Sequence, residues 1–252
     1  MTRVISIISG KGGVGKTTVV INLATALVSK FKRNVTIIDC NVTASHLGLY
    51  LGMYYCPITL NQVLKGEAKI ADAVYDHYTQ VKVIPSSLSL RDLTGVDITR
   101  LKDSIADLSG VDFVFLDSAP GLGREAISTI QASDEVLFVT TPFIPSTIDL
   151  IRCNELIKEV KTSSLGIVLN MLSKEKHELT KREIEELVEL PVLATIPIDK
   201  NVPRSLAARE PLLIYQPNSP ASKEFIKLAA KLIGEEYKIG VLDKIKGFLS
   251  LG

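Results

Sequence analysis

The chain has 252 residues, of which 46% are hydrophobic and 23% charged, a composition typical of a globular protein with a substantial buried core. The formal net charge of +1 excludes a global basic field for nucleic acid, so any contact with DNA or a membrane requires a local patch. Three widely spaced cysteines without a C-x-x-C pair argue against disulfide, zinc and iron–sulfur sites, and with no signal-peptide pattern they predict a cytoplasmic protein.

Short, apolar, β-branched runs alternate with amphipathic stretches along the chain. Each run predicts a strand buried on both faces, and helical patterns follow Lys16 and cover 146–160, 180–189 and 220–233. This alternation predicts one α/β domain, a mostly parallel twisted sheet with helices on both faces and a ligand site beyond the carboxyl ends of the strands. The predicted strands are 3–9, 34–39, 81–87, 112–118, 135–141, 165–170 and 191–197.

The segment SGKGGVGKTT (9–18) has the phosphate-loop (P-loop) pattern G-x-x-x-x-G-K-[ST] and lies between the first predicted strand and helix. Its glycines allow backbone N–H groups to surround phosphates, and the helix adds its positive N-terminal end. Lys16 is predicted to reach the β- and γ-phosphates and Thr17 to bind Mg²⁺. The alternative is a tight turn with two solvated lysines. The predicted nucleotide contacts here are Gly10, Lys11, Gly12, Gly13, Val14, Gly15, Lys16, Thr17 and Thr18.

Two aspartates end apolar strands at the same predicted edge of the sheet. Asp117 ends DFVFLD, with a glycine four residues later, and Asp39 ends NVTIID. A carboxylate at a strand tip holds Mg²⁺ directly or through water. Either aspartate alone is also consistent with a solvated strand end. Both beside a P-loop predict a metal site formed by Thr17, Asp39 and Asp117.

The run KGGVGKT resembles the deviant Walker A signature of the MinD/ParA ATPases, within the SIMIBI-type P-loop NTPases. The resemblance covers essentially the whole chain: HLGLYLG (46–52) resembles the segment after switch I, DSAPGLG (117–123) resembles Walker B and switch II, and 169–213 resembles the adenine-side half. The archaeal MinD-like branch is the most similar. The resemblance implies an ATPase that uses ATP and Mg²⁺, forms a homodimer on binding ATP and recruits partners, an unidentified protein among them, at a membrane.

The same resemblance implies roles for individual residues. Lys11 is the signature lysine, which in the family crosses the dimer to the partner's phosphates, so Lys11 and Lys16 are both predicted to be catalytic. Asn170 resembles the adenine-contacting asparagine, with a strand-end turn residue as the alternative. Met171 stands where many relatives carry arginine. The loop of Pro197, Ile198 and Asp199 resembles the base-binding loop.

Other positions depart from the family pattern or match it less specifically. Switch I usually reads D-x-D, but this chain has Asp39-Cys40-Asn41. Asn41 can orient a water but cannot accept its proton, so Asn41 is a third predicted catalytic residue and turnover is expected to be slow. Gly123 replaces the glutamate of many MinD proteins. Asp149 matches a family aspartate near the dimer face, with a plain helix-surface aspartate as the alternative.

Residues 235–252 are predicted to form a connector and an amphipathic C-terminal helix beyond an ATPase domain of 1–234, whose last helix, 222–234, is capped by Gly234. MinD proteins carry a comparable membrane-targeting tail, which predicts reversible peripheral membrane binding strengthened by dimerisation. The alternatives are a helix packed on its own domain or one that binds a partner protein. The apolar stripe consists of Val241, Leu242, Ile245, Phe248 and Leu249.

Other functions remain open at this point. Small-molecule kinases and synthetases of this fold are possible but would not explain Lys11. A ParA-like partition ATPase would bind DNA non-specifically, but the near-neutral charge and lack of a Lys/Arg cluster argue against it, and specific nucleic-acid binding is not expected. A nucleotide-locked scaffold that does not hydrolyse ATP is the non-enzymatic alternative suggested by Asn41.

Overall fold

A computed structural model of the chain describes residues 2–173 and 175–237. The predicted apolar stripe within 241–252 lies outside these described residues, so the structure does not bear on it. Across the described ranges, no helix is long and apolar enough to cross a membrane.

Within the described residues, eight strands form one sheet in the order β3-β4-β2-β5-β1-β6-β7-β8, in which every neighbouring pair is parallel except β3 with β4. The predicted α/β sheet is thereby confirmed, and all the predicted strands are present. The additional strand, β3, has two residues, too few for a periodicity to show. The strands are β1 Arg3–Ile8, β2 Val35–Asp39, β3 Tyr75–Asp76, β4 Lys82–Ile84, β5 Phe113–Asp117, β6 Glu135–Thr140, β7 Ser163–Leu172 and β8 Val192–Pro197.

Helices cover both faces of the sheet. Successive residues of a strand point to opposite faces. On β5, Phe113 and Phe115 pack with α1 and α10, whereas Val114 and Leu116 pack with α3 and α4. The helices are α1 Lys16–Phe31, α2 Leu47–Tyr50, α3 Leu60–Lys65, α4 Leu101–Ala106, α5 Arg124–Gln131, α6 Ile144–Val160, α7 Lys181–Val188, α8 Asn201–Ala208, α9 Leu212–Tyr215 and α10 Pro220–Leu232.

Local sequence signals explain where several helices begin and end. Thr180 and Glu183 form a capping box at the start of α7. Ser219 caps α10, whose first residue is a proline. The C-terminal end of α10 is followed by Gly234 in a left-handed conformation (φ 73°), the conformation expected for a glycine that ends a helix.

The strand register brings the predicted site residues of β2, β5 and the P-loop to one edge of the sheet. Asp39 of β2 is directly paired with Asp117 of β5, and Asp117 is in turn paired with Ile7 of β1. The P-loop follows β1 at that edge, so a loop, a helix N-terminus and two buried carboxylates meet there. Binding beyond the carboxyl ends of parallel strands is the usual arrangement in such sheets.

Candidate functional site

The P-loop connects β1 to α1 through glycines whose backbone conformations other residues rarely adopt. Gly13 and Gly15 have φ values of 78° and 93°, in the left-handed region. Because Gly15 is the N-cap of α1, no side chain blocks the first N–H groups of the helix. The loop therefore presents backbone donors and the positive helix end to an anion.

The two lysines of the P-loop occupy different environments. Lys16 is only 8% exposed, and its ammonium donates a hydrogen bond to Ser9 Oγ at 2.8 Å. Burial lowers the pKa of Lys16, while the nearby Asp117 carboxylate opposes that shift. Lys11 is exposed, and its backbone carbonyl accepts a hydrogen bond from the Ser9 hydroxyl at 2.8 Å. Lys16 thus lies buried beneath the loop, whereas Lys11 lies on the surface.

Thr17 and Asp117 lie together beneath the loop. The Thr17 hydroxyl donates to Asp117 Oδ2 at 2.6 Å, whereas Asp117 Oδ1 is buried and has no hydrogen-bond partner among the described residues. Burial, reinforced by the charge of Asp39, raises the pKa of Asp117 to about 7. A hydroxyl beside an orphaned carboxylate oxygen is a donor set that fits Mg²⁺, which favours one or two protein oxygens plus phosphate oxygens.

Asp39 is buried beside Asp117, but both of its carboxylate oxygens already accept hydrogen bonds. Oδ1 accepts from the Asn41 backbone at 3.1 Å, and Oδ2 accepts from Ser45 Oγ at 2.7 Å and the Leu47 backbone at 3.1 Å. Burial raises the pKa of Asp39 despite these hydrogen bonds. The geometry therefore suits Asp39 to holding the switch I loop, and Asp117 is the carboxylate with an oxygen free for a cation.

The switch I loop carries Asn41 and contacts the helix after β5. The Asn41 side-chain amide donates to Ala44 O at 2.8 Å, within its own loop. Thr43 Oγ1 donates to Glu125 Oε2 of α5 at 3.4 Å, and burial, with the charge of Asp39, raises the pKa of Glu125. Glu125 is thus a carboxylate beside the switch I loop that the P-loop and strand-end motifs did not predict.

One cavity of about 960 Å³ opens above the P-loop. It is lined by P-loop residues, by both switch segments and by three side chains of α8 that lie beyond the predicted base-binding loop. The lining residues are Gly12, Gly13, Gly15, Lys16, Thr17, Thr18, Asn41, Thr43, Ala44, His46, Tyr50, Ser118, Ala119, Pro120, Gly123, Arg124, Glu125, Met171, Val202, Pro203 and Leu206.

On the side of β7, Asn170 contacts the P-loop directly. Its amide donates to Val14 O at 2.8 Å, and a Cβ on Gly15 would lie 2.3 Å from Asn170 Nδ2. Met171, in a left-handed conformation with φ 60°, follows it on the cavity wall. Gly15 must therefore be glycine for two reasons, its backbone conformation and the position of Asn170.

The predicted base-binding loop lies next to the cavity rather than on its wall. Asp199 Oδ1 accepts from the backbone and side-chain nitrogens of Asn201, both at 2.9 Å, so the aspartate organises the start of α8. Ile198 is 63% exposed. The α8 residues Val202, Pro203 and Leu206 line the cavity instead of Pro197, Ile198 and Asp199. An amphipathic pattern over 201–208 is the signal that would have identified them.

Exposed apolar side chains lie on the segments that abut the start of the P-loop. Gly121 donates its backbone N–H to Ser9 O at 2.9 Å, and a Cβ on Gly10 would meet Asp149 Cβ at 2.4 Å, so the switch II loop and α6 both abut the start of the P-loop. Asp149 itself pairs with Arg152 of the next helical turn at 3.8 Å. The exposed apolar residues on these two segments and just before α6 are Leu122, Phe143, Ile144 and Ile148.

Several known proteins are similar to this chain in sequence and in fold. Residues 5–212 match the CobQ/CobB/MinD/ParA nucleotide-binding domain. The chain is 36% identical to an uncharacterized ATP-binding protein of Methanocaldococcus jannaschii, over 99% of this chain and 95% of that relative. It superposes on the cell division ATPase MinD of Pyrococcus furiosus with a TM-score of 0.89 and 34% identity, covering 93% of this chain and 99% of that one. The septum site-determining protein MinD of Pyrococcus horikoshii, complexed with Mg-ADP, gives a TM-score of 0.89 and 34% identity, over 95% and 100% of the two chains.

Proposed function

The chain belongs to the CobQ/CobB/MinD/ParA nucleotide-binding family, and from this premise we propose that it is an ATP- and Mg²⁺-dependent switch that dimerises on binding ATP and hydrolyses it slowly. The observation that carries the proposal is the contrast between the two lysines of one loop. Lys16 is buried in its own site, whereas Lys11 is exposed. An exposed lysine of the P-loop acquires a binding role when a second subunit brings its own phosphates to it.

Nucleotide binding by this chain rests on its own residues. The N–H groups of the P-loop and of the first turn of α1 receive the phosphates, and the Lys16 ammonium adds a buried positive charge. Thr17 and Asp117 would hold Mg²⁺, which would neutralise charge on the phosphate oxygens. The Mg-ADP complex of the Pyrococcus horikoshii MinD supports the same ligands here.

Dimerisation is supported by the exposed surface next to the P-loop. Leu122, Phe143, Ile144 and Ile148 are between 36% and 61% exposed, and they lie on or next to the segments that abut the start of the P-loop. Lys11, within that loop, is exposed as well. Burying these side chains against a second copy would contribute favourable free energy at roughly 25 cal/mol per Å² of apolar surface. Lys11 would then add positive charge to the partner's phosphates, as an arginine finger does in trans.

Slow hydrolysis is supported by Asn41. Its amide nitrogen is held by Ala44 O, which leaves the side-chain oxygen as the group that can orient a water. A carboxamide does not take up the proton of that water, so the positioning role remains and the basic role is lost. Positioning and electrostatics dominate phosphoryl transfer, which is why turnover is slowed and not abolished.

Membrane recruitment is the part of the proposal that rests on sequence alone. The stripe within 241–252 is short, so a single copy would bind a bilayer weakly and two copies in a dimer would bind by avidity. Pelleting with acidic liposomes in ATP or ADP tests it, with a chain ending at residue 240 as the control. If the full chain pellets more in ATP than in ADP and the truncated chain does not, the result supports recruitment. Equal pelleting of the full and truncated chains contradicts it. Retention on DNA without liposome binding would favour a partition role.

The enzymatic part is tested by the rate of phosphate release per subunit as protein concentration rises. The proposal predicts a rate that increases with concentration and reaches a plateau, because active sites are completed by dimerisation. Lys11→Ala should still bind ATP within its own subunit but lose the concentration dependence. A constant, unchanged rate per subunit in both proteins would contradict a role for Lys11 across a dimer.

A further inference from the structure

Two aromatic side chains line the cavity from α2. His46 is the N-cap of this short helix and Tyr50 its last residue, and their four-residue spacing places them on one face. Their ring centroids are 6.1 Å apart with an interplanar angle of 27°, a stacked arrangement. Tyr50 is half-buried and packs against the core cluster of α1, so its ring has a supported position in the cavity wall.

The α8 and β7 walls of the same cavity are apolar. They contribute Met171, Val202, Pro203 and Leu206, none of which offers a side-chain hydrogen bond to a ligand's edge. This composition contrasts with the P-loop end, where N–H groups and Lys16 bind an anion. The cavity therefore has a charged end for phosphates and an end whose side chains suit a flat, largely apolar group.

The turn after α2 contacts the C-terminal end of α8, so these two parts of the cavity wall pack against each other. Arg209, the C-cap of α8, lies against the turn after α2, where a Cβ on Gly52 would meet its Cβ at 3.6 Å. Its guanidinium stands 4.8 Å from the centroid of the Tyr54 ring, a cation–π contact. The turn that follows Tyr50 is therefore packed against the C-terminal end of α8.

We propose that Tyr50, supported by His46, is the platform on which the nucleotide's base stacks, and so a specificity-determining residue of this chain. The inference rests on the proposed function, since it assigns a group to one end of the proposed nucleotide. It also accounts for Met171: a base held by an aromatic ring on the switch I side does not require a guanidinium stacked on the β7 side. Stacking is tolerant of base identity, so the platform favours nucleotides over inorganic phosphates, not adenine over guanine.

The experiment compares calorimetric dissociation constants for ATP and for inorganic tripolyphosphate, which has phosphates but no base. Tyr50→Ala should weaken ATP binding about tenfold or more and leave tripolyphosphate binding unchanged. Tyr50→Phe should keep the affinity for ATP because the ring remains. Tyr55→Ala is the matched control, since Tyr55 is a neighbouring tyrosine that is 85% exposed and outside the cavity lining.

Tyrosine fluorescence gives a second readout, because the chain has seven tyrosines and no tryptophan. A stacked base should quench Tyr50, so Tyr50→Phe should bind ATP while losing part of the quenching seen in the wild type. If Tyr50→Ala binds ATP as the wild type does, or loses ATP and tripolyphosphate in equal proportion, the platform is refuted and the proposed function stands. If the wild type itself binds no ATP, the proposed function fails.

Discussion

Replacing Asp117 with asparagine should stabilise the ligand-free protein while removing its response to Mg²⁺. Asp117 is buried beside Asp39, and burial together with that neighbouring charge raises its pKa from 3.8 to about 7. A difference of about 3 pKa units corresponds to roughly 4 kcal/mol at about 1.4 kcal/mol per unit. In the absence of a cation, the ionised Asp117 carboxylate therefore destabilises the folded state at the site where the metal is proposed to bind.

The direction in which the unfolding free energy changes with pH follows from which state, folded or unfolded, binds the proton on residue 117 more tightly. The unfolded carboxyl group titrates near 3.8 and the folded one near 7, so the folded state retains its proton to higher pH. The stability associated with this group is complete below pH 3.8 and is lost as the pH rises to about 7. Asparagine carries no charge at any of these pH values and still accepts from the Thr17 hydroxyl. Its buried N–H group costs about 1 kcal/mol, an amount that does not vary with pH.

Urea denaturation in EDTA, at several pH values from 5 to 8, measures the effect. The difference in unfolding free energy between Asp117→Asn and the wild type should increase by roughly 2–3 kcal/mol over that range. Asp76→Asn, an exposed carboxylate of β3, is the control and should show little change. Mg-ATP should raise the midpoint of the wild type and have a much smaller effect on the variant. A difference that does not vary with pH would refute the reasoning about Asp117.

Two further substitutions test the switch I loop and the P-loop. Asn41→Asp should raise the rate of ATP hydrolysis about tenfold or more by restoring a proton acceptor, measured as single-turnover phosphate release; an unchanged rate would mean that Asn41 does not limit turnover. Gly15→Ala should lower the unfolding free energy by roughly 2 kcal/mol or more and abolish nucleotide binding, because a Cβ there adds a clash at 2.3 Å to the strain of φ 93°. Gly110→Ala, with φ 68° and no neighbour within 4 Å, isolates the strain alone and should cost about 1 kcal/mol; equal losses in both variants would exclude the clash with Asn170.

The sheet was predictable because its central strands are continuous apolar runs, and the P-loop because its residues are adjacent in sequence. The segment from 41 to 111 was less predictable, since α2, α3 and α4 have four to six residues and show too little periodicity. The two-residue β3 is visible only once β4 is in place beside it.

The walls of the cavity were the least predictable part of the candidate site. Tyr50 and Leu206 line the same cavity although they are far apart in sequence, and that proximity comes from the packing of α2 beside α8. The role of Asp39 was likewise only partly predictable from the sequence. Its position at a strand end was readable from sequence, but its hydrogen bonds from Ser45 and Leu47 depend on how the switch I loop folds back.

The central claim, an ATP-controlled dimer completed by Lys11, is tested most directly by the molar mass in solution. Light scattering after size exclusion, with Mg²⁺ and a slowly hydrolysed ATP analogue, should give twice the 27.5 kDa of one chain for the wild type and 27.5 kDa with ADP. Lys11→Ala should still bind the analogue, with an affinity lowered by the loss of coupling to dimerisation, and remain at 27.5 kDa. A wild type that stays monomeric with the analogue bound, or a Lys11→Ala variant that dimerises as well as the wild type, would contradict the account.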